Sequence, residues 1–392
     1  MSNRNYDFQK KLFIEGIMRI LVTGGMGFIG SRVVVNLLEK KHDIVILDNL
    51  SPQIHGALPR LHFGFLDDSR ITFIRADIRD SFALDTALEN IESVIHLAAE
   101  TGTGQSMYQI AHYYEVNQQV TAKLFELICR KHKSVKQVIL ASSRSVYGEG
   151  AYRLAGVDII PPARTLNNLK AGILEPMGVN GEQLELVATA ESAGVSPASV
   201  YAATKLANEA LGKIVSNNYG LSVTALRFQN VYGEGQSLSN PYTGLLSIFS
   251  NRMRKNLDIN IFEDGNESRD FVHVSDVVSA ISTTIQKGLS GYNVINIGSG
   301  KATSVMNVAL ALKEILRSNS PLKISGDFRA GDIRHCYADL TVARNLLDFT
   351  PQIDLKVGLE RFCSWLEGEA ISEDRSENAL SELTKLGLGA SK

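Results

Sequence analysis

Three observations predict an α/β fold with a doubly wound parallel sheet. Short apolar runs alternate with helix-length segments through about residue 230, as strands and crossover helices do. The runs are almost continuously apolar, which is typical of parallel strands that are covered on both faces. The first run ends in Gly24, Gly27 and Gly30, and a helix-like stretch follows. Together these features indicate a Rossmann-type sheet that binds a dinucleotide.

Six strands and four helices are predicted in this part of the chain. The strands are residues 19–22, 43–47, 72–75, 93–97, 137–141 and 223–228, and the helices are residues 31–41, 81–89, 112–131 and 199–219. Ligands of such sheets bind beyond the carboxyl ends of the strands. Motifs at those ends are therefore the candidates for a functional site.

The glycine-rich turn after the first strand has the spacing of a phosphate-binding turn. Gly24 permits the tight turn, Gly27 lets a pyrophosphate approach the backbone, and Gly30 lets the helix pack close to the sheet. Asp48 follows the second strand, where its carboxylate can accept hydrogen bonds from a ribose 2′-hydroxyl and would repel a 2′-phosphate. No basic residue follows Asp48 before Arg60. The sequence therefore favours NAD over NADP, and the alternative is an Asp that is merely solvated.

Composition and charge exclude several classes of protein. A chain of 392 residues is long enough for one large or two modest domains. Its net charge of −2 gives no reason to expect nucleic acid or an anionic membrane as a partner. The three cysteines, Cys129, Cys336 and Cys363, are too scattered for a disulfide framework, and no group of residues has metal-ligand spacing. With no membrane-length apolar run and no signal peptide, a cytoplasmic enzyme without a metal is expected.

The chain is expected to divide into an N-terminal arm (residues 1–17), a dinucleotide-binding domain (18–230), a mainly substrate-binding domain (231–370) and a tail (371–392). Residues 148–198 carry four prolines and no hydrophobic period, so we interpret them as a long loop inserted near the mouth of the active site. The second domain is predicted to contain helices at residues 244–255, 275–287 and 304–316 and strands at 259–262 and 293–297. The helix at 275–287 is expected to pack back on the first domain.

Two motifs point to catalysis. Tyr201 and Lys205 lie four residues apart at the start of a predicted helix, which places them on one face. A neighbouring ammonium and a positively charged nicotinamide would lower the pKa of the tyrosine, so that it takes a proton from a sugar hydroxyl. Ser142 and Ser143 end a predicted strand, where a hydroxyl can hold the reacting oxygen. A surface Tyr–Lys pair, and serines that only bond the backbone, are the alternatives.

The motifs in combination resemble those of the extended short-chain dehydrogenase/reductases, the NAD-dependent epimerases and dehydratases of nucleotide sugars. The resemblance covers about residues 18–365 and rests on Thr23-Gly-Gly-Met-Gly-Phe-Ile-Gly30, His96-Leu-Ala-Ala99, Ser142-Ser143, Val146-Tyr147-Gly148, Tyr201-x-x-x-Lys205 and Arg269-Asp270-Phe-Val-His273-Val. It implies the smaller C-terminal α/β domain for substrate, NAD as cofactor, a nucleotide-diphosphate sugar as substrate and a homodimer. The dimer would form when helices 112–131 and 199–219 pair across a two-fold axis as a four-helix bundle.

The resemblance also implies a role for individual residues. The catalytic residues are expected to be Ser143, Tyr201 and Lys205. The cofactor is expected to contact Gly24, Gly27, Phe28, Ile29, Gly30, Asp48, Asn49, Asp77, Ile78, Leu97, Ala98, Ala99, Asn117, Tyr201 and Lys205. The substrate is expected to contact Ser106, Ser143, Asn230, Arg269, Arg329 and Asp332, since arginine suits the planar recognition of a diphosphate. His96 and His273 are expected to be structural.

The reaction type is indicated at Arg144 and Ser145. In the dehydratases of this family, Asp-Glu follows the active-site Ser/Thr and eliminates water; here Arg144 and Ser145 stand in those places. Other stretches are similar to dTDP-L-rhamnose 4-epimerase-like members, although the insertion at 148–198 lacks any cysteine. The leading hypothesis is a nucleotide-sugar 4-epimerase that acts through a 4-keto intermediate on a dTDP-6-deoxyhexose. A nucleotide-sugar 4-ketoreductase that uses NAD(P)H and a non-catalytic dinucleotide sensor are the alternatives.

Overall fold

A seven-stranded, all-parallel sheet organises the computed structural model, which describes residues 16–56, 64–238, 240, 244–329, 332–371, 381–382 and 384–390. Its strands are β1 (Arg19–Thr23), β2 (Asp43–Asp48), β3 (Ile71–Arg75), β4 (Ser93–His96), β5 (Gln137–Ser143), β6 (Ser222–Phe228) and β7 (Tyr292–Ile297). The strands lie in the order β3-β2-β1-β4-β5-β6-β7. This is the doubly wound α/β sheet that the sequence predicts, and the six strands predicted before residue 230 are confirmed.

Helices cover both faces of the sheet, as its apolar strands require. The main ones are α1 (Phe28–Glu39), α2 (Ser81–Ala87), α3 (Val120–Arg130), α4 (Val200–Tyr219), α5 (Val274–Lys287) and α6 (Thr341–Leu347). One core lies between the sheet and α1, α5 and α6, and a second lies between the sheet and α2, α3 and α4. Helix α5 corresponds to the predicted helix at 275–287 and packs on α1.

The predicted helix at 112–131 is present, but it is not a uniform α-helix. An α-helical turn, Ile110–Tyr113, leads into a π-helical segment, Tyr114–Gln119, and α3 follows without a break. The π segment carries Asn117, whose side chain bonds the Glu100 main chain beside the sheet edge. π segments of this kind are frequent at functional sites, and nothing in the hydrophobic spacing distinguishes one from an α-helix.

A smaller mixed α/β region follows β6. Its helices are Leu245–Arg254, Val305–Ile315 and Leu355–Glu367, and its strand pairs are Asn230–Tyr232 with Phe271–His273, Ile259–Ile261 with Leu322–Ile324, and Phe328–Arg329 with Gly389–Ala390. A further sheet joins Ser268–Arg269 to Thr303–Ser304 and His335–Cys336. These elements have a core of their own. The predicted strand at 293–297, however, is β7, which returns to the edge of the large sheet beside β6.

Residues 148–198 are not the structureless loop that the sequence suggested. They form a small antiparallel sheet of Tyr152–Leu154, Val157–Ile159 and Glu185–Leu186, together with the short helix Leu166–Lys170. A buried ion pair attaches this insertion to the C-terminal region, because Arg164, which bonds Glu149 of the insertion (3.0 Å), also bonds Glu263 (2.9 Å). Strands of two or three residues are too short to show a hydrophobic period, so they could not be predicted from the pattern of apolar residues. The position of the insertion near the site mouth stays a prediction.

The remaining short helices lie at Pro52–His55 and Thr103–Ser106, with 3₁₀ turns at Gly64–Asp67 and Arg144–Tyr147. The predicted N-terminal arm lies outside the described residues except for residues 16–17, and so does most of the tail after residue 371. In the part of the chain that the structure describes, no helix is long and apolar enough to span a membrane.

Candidate active site

A cavity of about 830 Å³ opens at the carboxyl ends of the parallel strands, between the sheet and the C-terminal region. Its wall includes most of the predicted cofactor-contacting residues: Gly24, Gly27, Phe28, Ile29, Gly30, Asp48, Asn49, Asp77, Ile78, Leu97, Ala98, Ala99, Tyr201 and Lys205. The predicted substrate-contacting residues Ser143 and Asn230 also line it. The cavity therefore joins a dinucleotide-sized groove to the proposed reaction centre, at the sheet edge where ligands of this fold bind.

The turn between β1 and α1 is shaped to admit a phosphate. Gly24 has a positive φ of 70°, and a Cβ built there would come within 2.8 Å of the Ala98 nitrogen. A Cβ built on Gly30 would meet the Gly24 carbonyl oxygen at 2.1 Å. Only glycine fits at these two positions, so the start of α1 lies directly against the turn. The N–H groups of the first helical turn have no partner within the helix and are available to an anion.

Asp48 lies at the far end of the same groove. One carboxylate oxygen accepts a hydrogen bond from the Met26 N–H (3.0 Å), and the other accepts one from the Leu50 N–H (2.8 Å). His55 Nε2 lies 3.9 Å from the carboxylate, and burial lowers the pKa of that histidine, so it is neutral at pH 7. His55 therefore does not offset the charge of the carboxylate, and a 2′-phosphate in this part of the groove would be repelled.

Asn49 and Asp77 complete this end of the groove. Asn49 Nδ2 donates a hydrogen bond to Asp77 Oδ2 at 3.2 Å, and the Arg79 guanidinium forms an ion pair with Asp77 at 2.9 Å. The hydrogen bond from Arg79 is the main reason that the pKa of Asp77 falls to about 2. Both acids at this end of the cavity are thus fixed acceptors, which suits the hydroxyl and amine donors of an adenosine.

Tyr201, Lys205 and Ser143 meet at the other end of the cavity. Tyr201 and Lys205 lie in the first turns of α4, which begins where the Ser199 side chain caps the Ala202 N–H (3.2 Å). The Lys205 Nζ atom donates a hydrogen bond to the Ala141 carbonyl at 2.9 Å and lies 5.7 Å from the centroid of the Tyr201 ring. The Ser143 side chain lies near enough to the Tyr201 hydroxyl to oppose the rise in the pKa of that tyrosine. The sequence-predicted trio is therefore assembled in one place.

The electrostatics of Tyr201 differ from the expectation. In the protein alone, burial raises the pKa of Tyr201, while the Ser143 side chain and the positive charge of Arg144 oppose that rise. Burial also lowers the pKa of Lys205 to about 8. The expected lowering of the tyrosine pKa by the lysine is therefore not what the protein alone provides, because the ammonium is turned toward the Ala141 carbonyl.

A buried ion pair decides which of the two serines faces the cavity centre. Glu209 on α4 accepts a hydrogen bond from Ser142 and forms an ion pair with Arg227 of β6 at 2.7 Å. Arg227 also lies 4.7 Å from the centroid of the Tyr147 ring. Because Glu209 engages the Ser142 hydroxyl, Ser143 is the serine whose hydroxyl oxygen has only the Ser145 N–H (3.2 Å) as a hydrogen-bond partner in the described contacts.

Several residues that the resemblance assigned to ligands do not line the cavity. Ser106 is fully buried and donates to the Thr103 carbonyl (2.6 Å). Asn117 is also buried, and its side chain donates to the Glu100 carbonyl (3.0 Å) and the Thr204 hydroxyl (3.2 Å). The side chains of Ser106 and Asn117 therefore form their hydrogen bonds inside the protein. Each stabilises the main chain around the site and does not line the cavity.

Of the two arginines that were predicted to bind the diphosphate, Arg269 and Arg329, the first forms hydrogen bonds with the protein's own main chain. Arg269 donates to the carbonyls of Arg334 (2.9 Å) and Ile333 (2.7 Å), so its guanidinium holds the loop that follows Asp332. The main-chain carbonyl of Asp332 accepts a hydrogen bond from Arg164 at 2.9 Å. The side chain of Arg329 and residues 330–331 lie outside the described residues. Contacts of these residues with a substrate stay a prediction.

Arg144 lines the cavity but is not among the residues that were predicted to contact the cofactor or the substrate. It lines the wall beside Ser143 and Tyr201, and its Nε atom donates to Asn230 Oδ1 at 3.0 Å. In the sequence, Arg144 was notable only because it replaces an acid of the family's dehydratases. Its position directly after the active-site serine was the available signal.

The two histidines expected to be structural are indeed buried, away from the cavity lining. His96 bonds the hydroxyls of Thr23 (2.8 Å) and Thr121 (3.0 Å), and burial lowers its pKa to about 3. His273 caps α5 and lies 3.1 Å from Glu234. Among the described residues, no group of three or more His, Cys, Asp or Glu side chains is placed to hold a metal ion.

Comparison with known proteins agrees with this geometry. Residues 20–167 and 175–298 match the model of the NAD dependent epimerase/dehydratase family. A dTDP-L-rhamnose 4-epimerase of Burkholderia thailandensis is 38% identical over 357 residues, which is 90% of this chain and 95% of that protein.

Two solved structures are similar across the whole fold. UDP-glucuronic acid 4-epimerase from Bacillus cereus, in complex with UDP-glucuronic acid and NAD, is 27% identical with a TM-score of 0.73 over 89% of this chain and 99% of that one. UDP-glucose 4-epimerase from Thermotoga maritima, with UDP-glucose, is 28% identical with a TM-score of 0.71 over the same shares of the two chains, 89% and 99%.

Proposed function

The chain belongs to the NAD dependent epimerase/dehydratase family, and from that premise we propose that it is an NAD-dependent nucleotide-sugar 4-epimerase. The observation that carries the proposal is the meeting of Tyr201, Lys205 and Ser143 at one end of a groove that begins at the glycine turn. For the substrate, we propose a dTDP-6-deoxyhexose, since a relative at 38% identity is a dTDP-L-rhamnose 4-epimerase.

The residues fit NAD along the length of the groove. The Gly24–Gly30 turn would hold the pyrophosphate, Asp48 the adenosine ribose, and Asp77 and Ile78 the adenine. Tyr201 and Lys205 would border the nicotinamide ribose. When bound, NAD supplies the ring carbon that takes the hydride from C4 of the sugar and returns it.

The chain's own side chains move and hold the proton. Tyr201 accepts the proton of the C4 hydroxyl as the C4–H bond breaks, and the Ser143 hydroxyl holds the same oxygen in place. The product of this half-reaction is a 4-keto sugar that is still attached to its diphosphate. The sugar ring then presents its other face, C4 receives the hydride again, and Tyr201 gives the proton back. The net change is inversion at C4, with no cofactor consumed.

The direct test is incubation of the purified protein with a panel of nucleotide sugars, followed by NMR of the C4 proton. A dTDP-6-deoxyhexose that is deuterated at C4 makes this test more specific, because an epimerase returns the same deuterium to C4. A 4-ketoreductase would instead consume NAD(P)H from solution and make no product without it. A non-catalytic sensor would bind NAD and invert no sugar.

We also propose that the protein works in the cytoplasm as a homodimer. Its three cysteines are all free, which suits a reducing compartment. Ile110 and Tyr114 before α3, and Ile214 on α4, are exposed apolar side chains on helices that pack together. Leu124, Leu127 and Ile128 of the predicted helix 112–131 are buried in the protein's own core. A four-helix bundle would therefore use the exposed set.

A further inference from the structure

A short segment of the C-terminal region forms part of the cavity wall. It consists of residues 233–237, is named the strap, and follows the strand Asn230–Tyr232. Its side chains Gln236 and Ser237 line the same cavity as the glycine turn and Asp48. The C-terminal region therefore contributes to the wall around the dinucleotide groove, and its attachments there decide how the groove opens.

The strap is attached to α1 on one side of the groove. Arg32, a half-buried residue of α1, donates a hydrogen bond to the main-chain carbonyl of Glu234. Its guanidinium also packs against Gly235, since a Cβ built on that glycine (φ 74°) would come within 2.5 Å of a terminal nitrogen of Arg32. A second bond, to the Phe28 carbonyl at 2.9 Å, holds the guanidinium in this position. The strap is thus fastened to the helix whose first turn would face the pyrophosphate.

On the other side of the groove, the strap meets the short helix Pro52–His55, which follows β2. The Ser237 hydroxyl donates a hydrogen bond to the Ile54 carbonyl at 3.1 Å. Gln53 of the same short helix lines the cavity and exchanges two hydrogen bonds with the buried Gln105, each of 3.1 Å. The short helix is therefore held to the cavity wall as well as to the strap.

The positions of the two attachments carry the strap across the groove. Helix α1 follows the glycine turn, which would hold the pyrophosphate, and the short helix follows Asp48, which would hold the adenosine ribose. Ser237 comes three residues after Glu234, so the strap spans at most about 10 Å between its attachments. Both bonds join atoms of the chain to one another. A dinucleotide can pass between these walls only after the bonds break.

We propose that Arg32 is a positioning residue that fastens the strap over the bound dinucleotide, so that NAD enters and leaves only when the strap opens. The inference rests on the proposed function, in which one cofactor molecule takes up the hydride and returns it to the same sugar. Loss of the reduced cofactor between the two steps would leave a 4-keto sugar that cannot be converted further. Arg32 acts through the strap, since it is not among the residues described as lining the cavity.

The test measures the rates at which NADH binds to and leaves wild type and Arg32→Met. The fluorescence of NADH follows both rates, on mixing with cofactor-free protein and on chasing the NADH-loaded protein with excess NAD. A hydrogen bond from a charged donor is worth about a factor of ten or more, so dissociation from Arg32→Met should be at least about tenfold faster. Because the bond closes the way in as well as the way out, association should speed up by a similar factor. The dissociation constant should then change far less than either rate.

Three further variants serve as controls. Arg32→Lys should restore rates close to those of wild type, because a lysine can still donate to the Glu234 carbonyl. Lys40→Met is the matched control, since Lys40 lies at the other end of α1 and donates to the Ser282 hydroxyl of α5. Ser237→Ala removes the second attachment and should raise both rates by about two- to tenfold, as expected for a neutral hydrogen bond. It also keeps the proposal testable if Arg32→Met does not fold.

Two results would overturn the proposal. Unchanged rates in Arg32→Met and Ser237→Ala would mean that the strap is no barrier, and faster dissociation alone would mean that Arg32 supports affinity instead of closure. Equal acceleration in Lys40→Met would also count against it, because the effect would then be a general loosening of α1. None of these measurements needs a sugar. Wild-type protein that binds NADH but inverts no nucleotide sugar would therefore refute the proposed function, while the rates still decide on the strap.

Discussion

Lys205 is bonded through Nζ to the main-chain carbonyl of Ala141, at 2.9 Å. The bond joins α4 to the end of β5, one helical turn after Tyr201 and two residues before Ser143. The relative position of the proposed base and the proposed hydroxyl donor therefore depends on this contact and on the hydrogen bond from Ser142 of β5 to Glu209 of α4. Because the Tyr201 hydroxyl takes no part in the bond between Lys205 and Ala141, that oxygen can be removed without breaking the bond.

The Tyr201→Phe variant should lose most of its turnover but still bind NAD and the nucleotide sugar. The change removes one oxygen, leaves the aromatic ring above Lys205, and deletes the general base, a contribution that is worth about 10²–10⁴-fold in rate. Turnover by NMR and binding by calorimetry measure the two halves of this expectation. Turnover near the wild-type value would exclude Tyr201 from the mechanism.

NADP should bind the protein freed of its cofactor at least about tenfold more weakly than NAD, since bringing like charges together costs several kcal/mol. The reason is the Asp48 carboxylate, which is fixed by the Met26 and Leu50 N–H groups and has only the neutral His55 beside it. Asp48→Asn keeps one acceptor oxygen and removes the charge, so it should reduce the difference between the binding affinities for NAD and NADP. Equal or tighter binding of NADP to the wild-type protein would contradict this reading of Asp48.

The fold was largely predictable because a buried parallel strand leaves a strong pattern. Each run of apolar residues before residue 230 became a strand of the sheet, and Asp48 and Ser143 lie at strand ends. Two features left no such pattern. The π segment of six residues is too short to show a period of its own within the longer helix. Strand β7 joins the large sheet through backbone pairing with β6, more than 60 residues earlier, which local sequence does not encode.

The residue types of the site could be predicted from the sequence, but the orientations of several side chains could not. The pairing of Tyr201 with Lys205 follows from their spacing on a helix, and the choice of Ser143 follows from the resemblance to the family's motif at a strand end. Which way Arg269 or Arg144 points depends on acceptors that are distant in sequence. Arg269 is held by carbonyls of the loop after Asp332, whereas Arg144 meets Asn230 and faces the cavity.

Stability should fall on the acid side partly through His96. Burial lowers its pKa to about 3 in the folded protein, against about 6.5 when unfolded. Between those values the unfolded chain binds the extra proton, so stability is lost as pH falls, by about 1.4 kcal/mol per pH unit for this one group. His96→Gln should destabilise the protein at pH 7, because the bonds to Thr23 and Thr121 change.

The direction of the pH effect can be measured as the difference in the free energy of unfolding between the wild-type protein and His96→Gln. Since glutamine does not titrate, the free energies of unfolding of wild type and His96→Gln should converge as the pH is lowered from 7 to 5. Urea unfolding at several pH values measures the gap. A gap that stays constant over this range would mean that His96 is not the group responsible.

Ile214→Glu should weaken the proposed dimer. Ile214 is 58% exposed on α4, and a carboxylate there would be buried against the partner helix. Leu310→Glu is the matched control, because Leu310 is similarly exposed (51%) but lies on the helix Val305–Ile315, far from the proposed bundle. Sedimentation at micromolar concentration should show a dimer for wild type and control and monomer for Ile214→Glu. A wild-type monomer would refute the assembly.

The protein should invert C4 without eliminating water. Elimination needs an acid for the leaving hydroxyl and a base for the neighbouring C–H, and the places after Ser143 hold Arg144 and Ser145 instead of carboxylates. Glu149 is engaged by Arg164 (3.0 Å) and is not part of the cavity wall, which leaves Glu100 as the nearby carboxylate that lines it.

NMR of dTDP- and GDP-hexoses incubated with the enzyme should therefore show no 4-keto-6-deoxy sugar. If that product accumulates, the argument from Arg144 fails, and Glu100→Gln tests the remaining carboxylate. Loss of the dehydrated product in that variant, with NAD still bound, would assign the elimination to Glu100. Since Glu100 lies within 3.4 Å of His112, an acid–base pair for such a reaction is present in the cavity, and the experiment can decide against the epimerase reading.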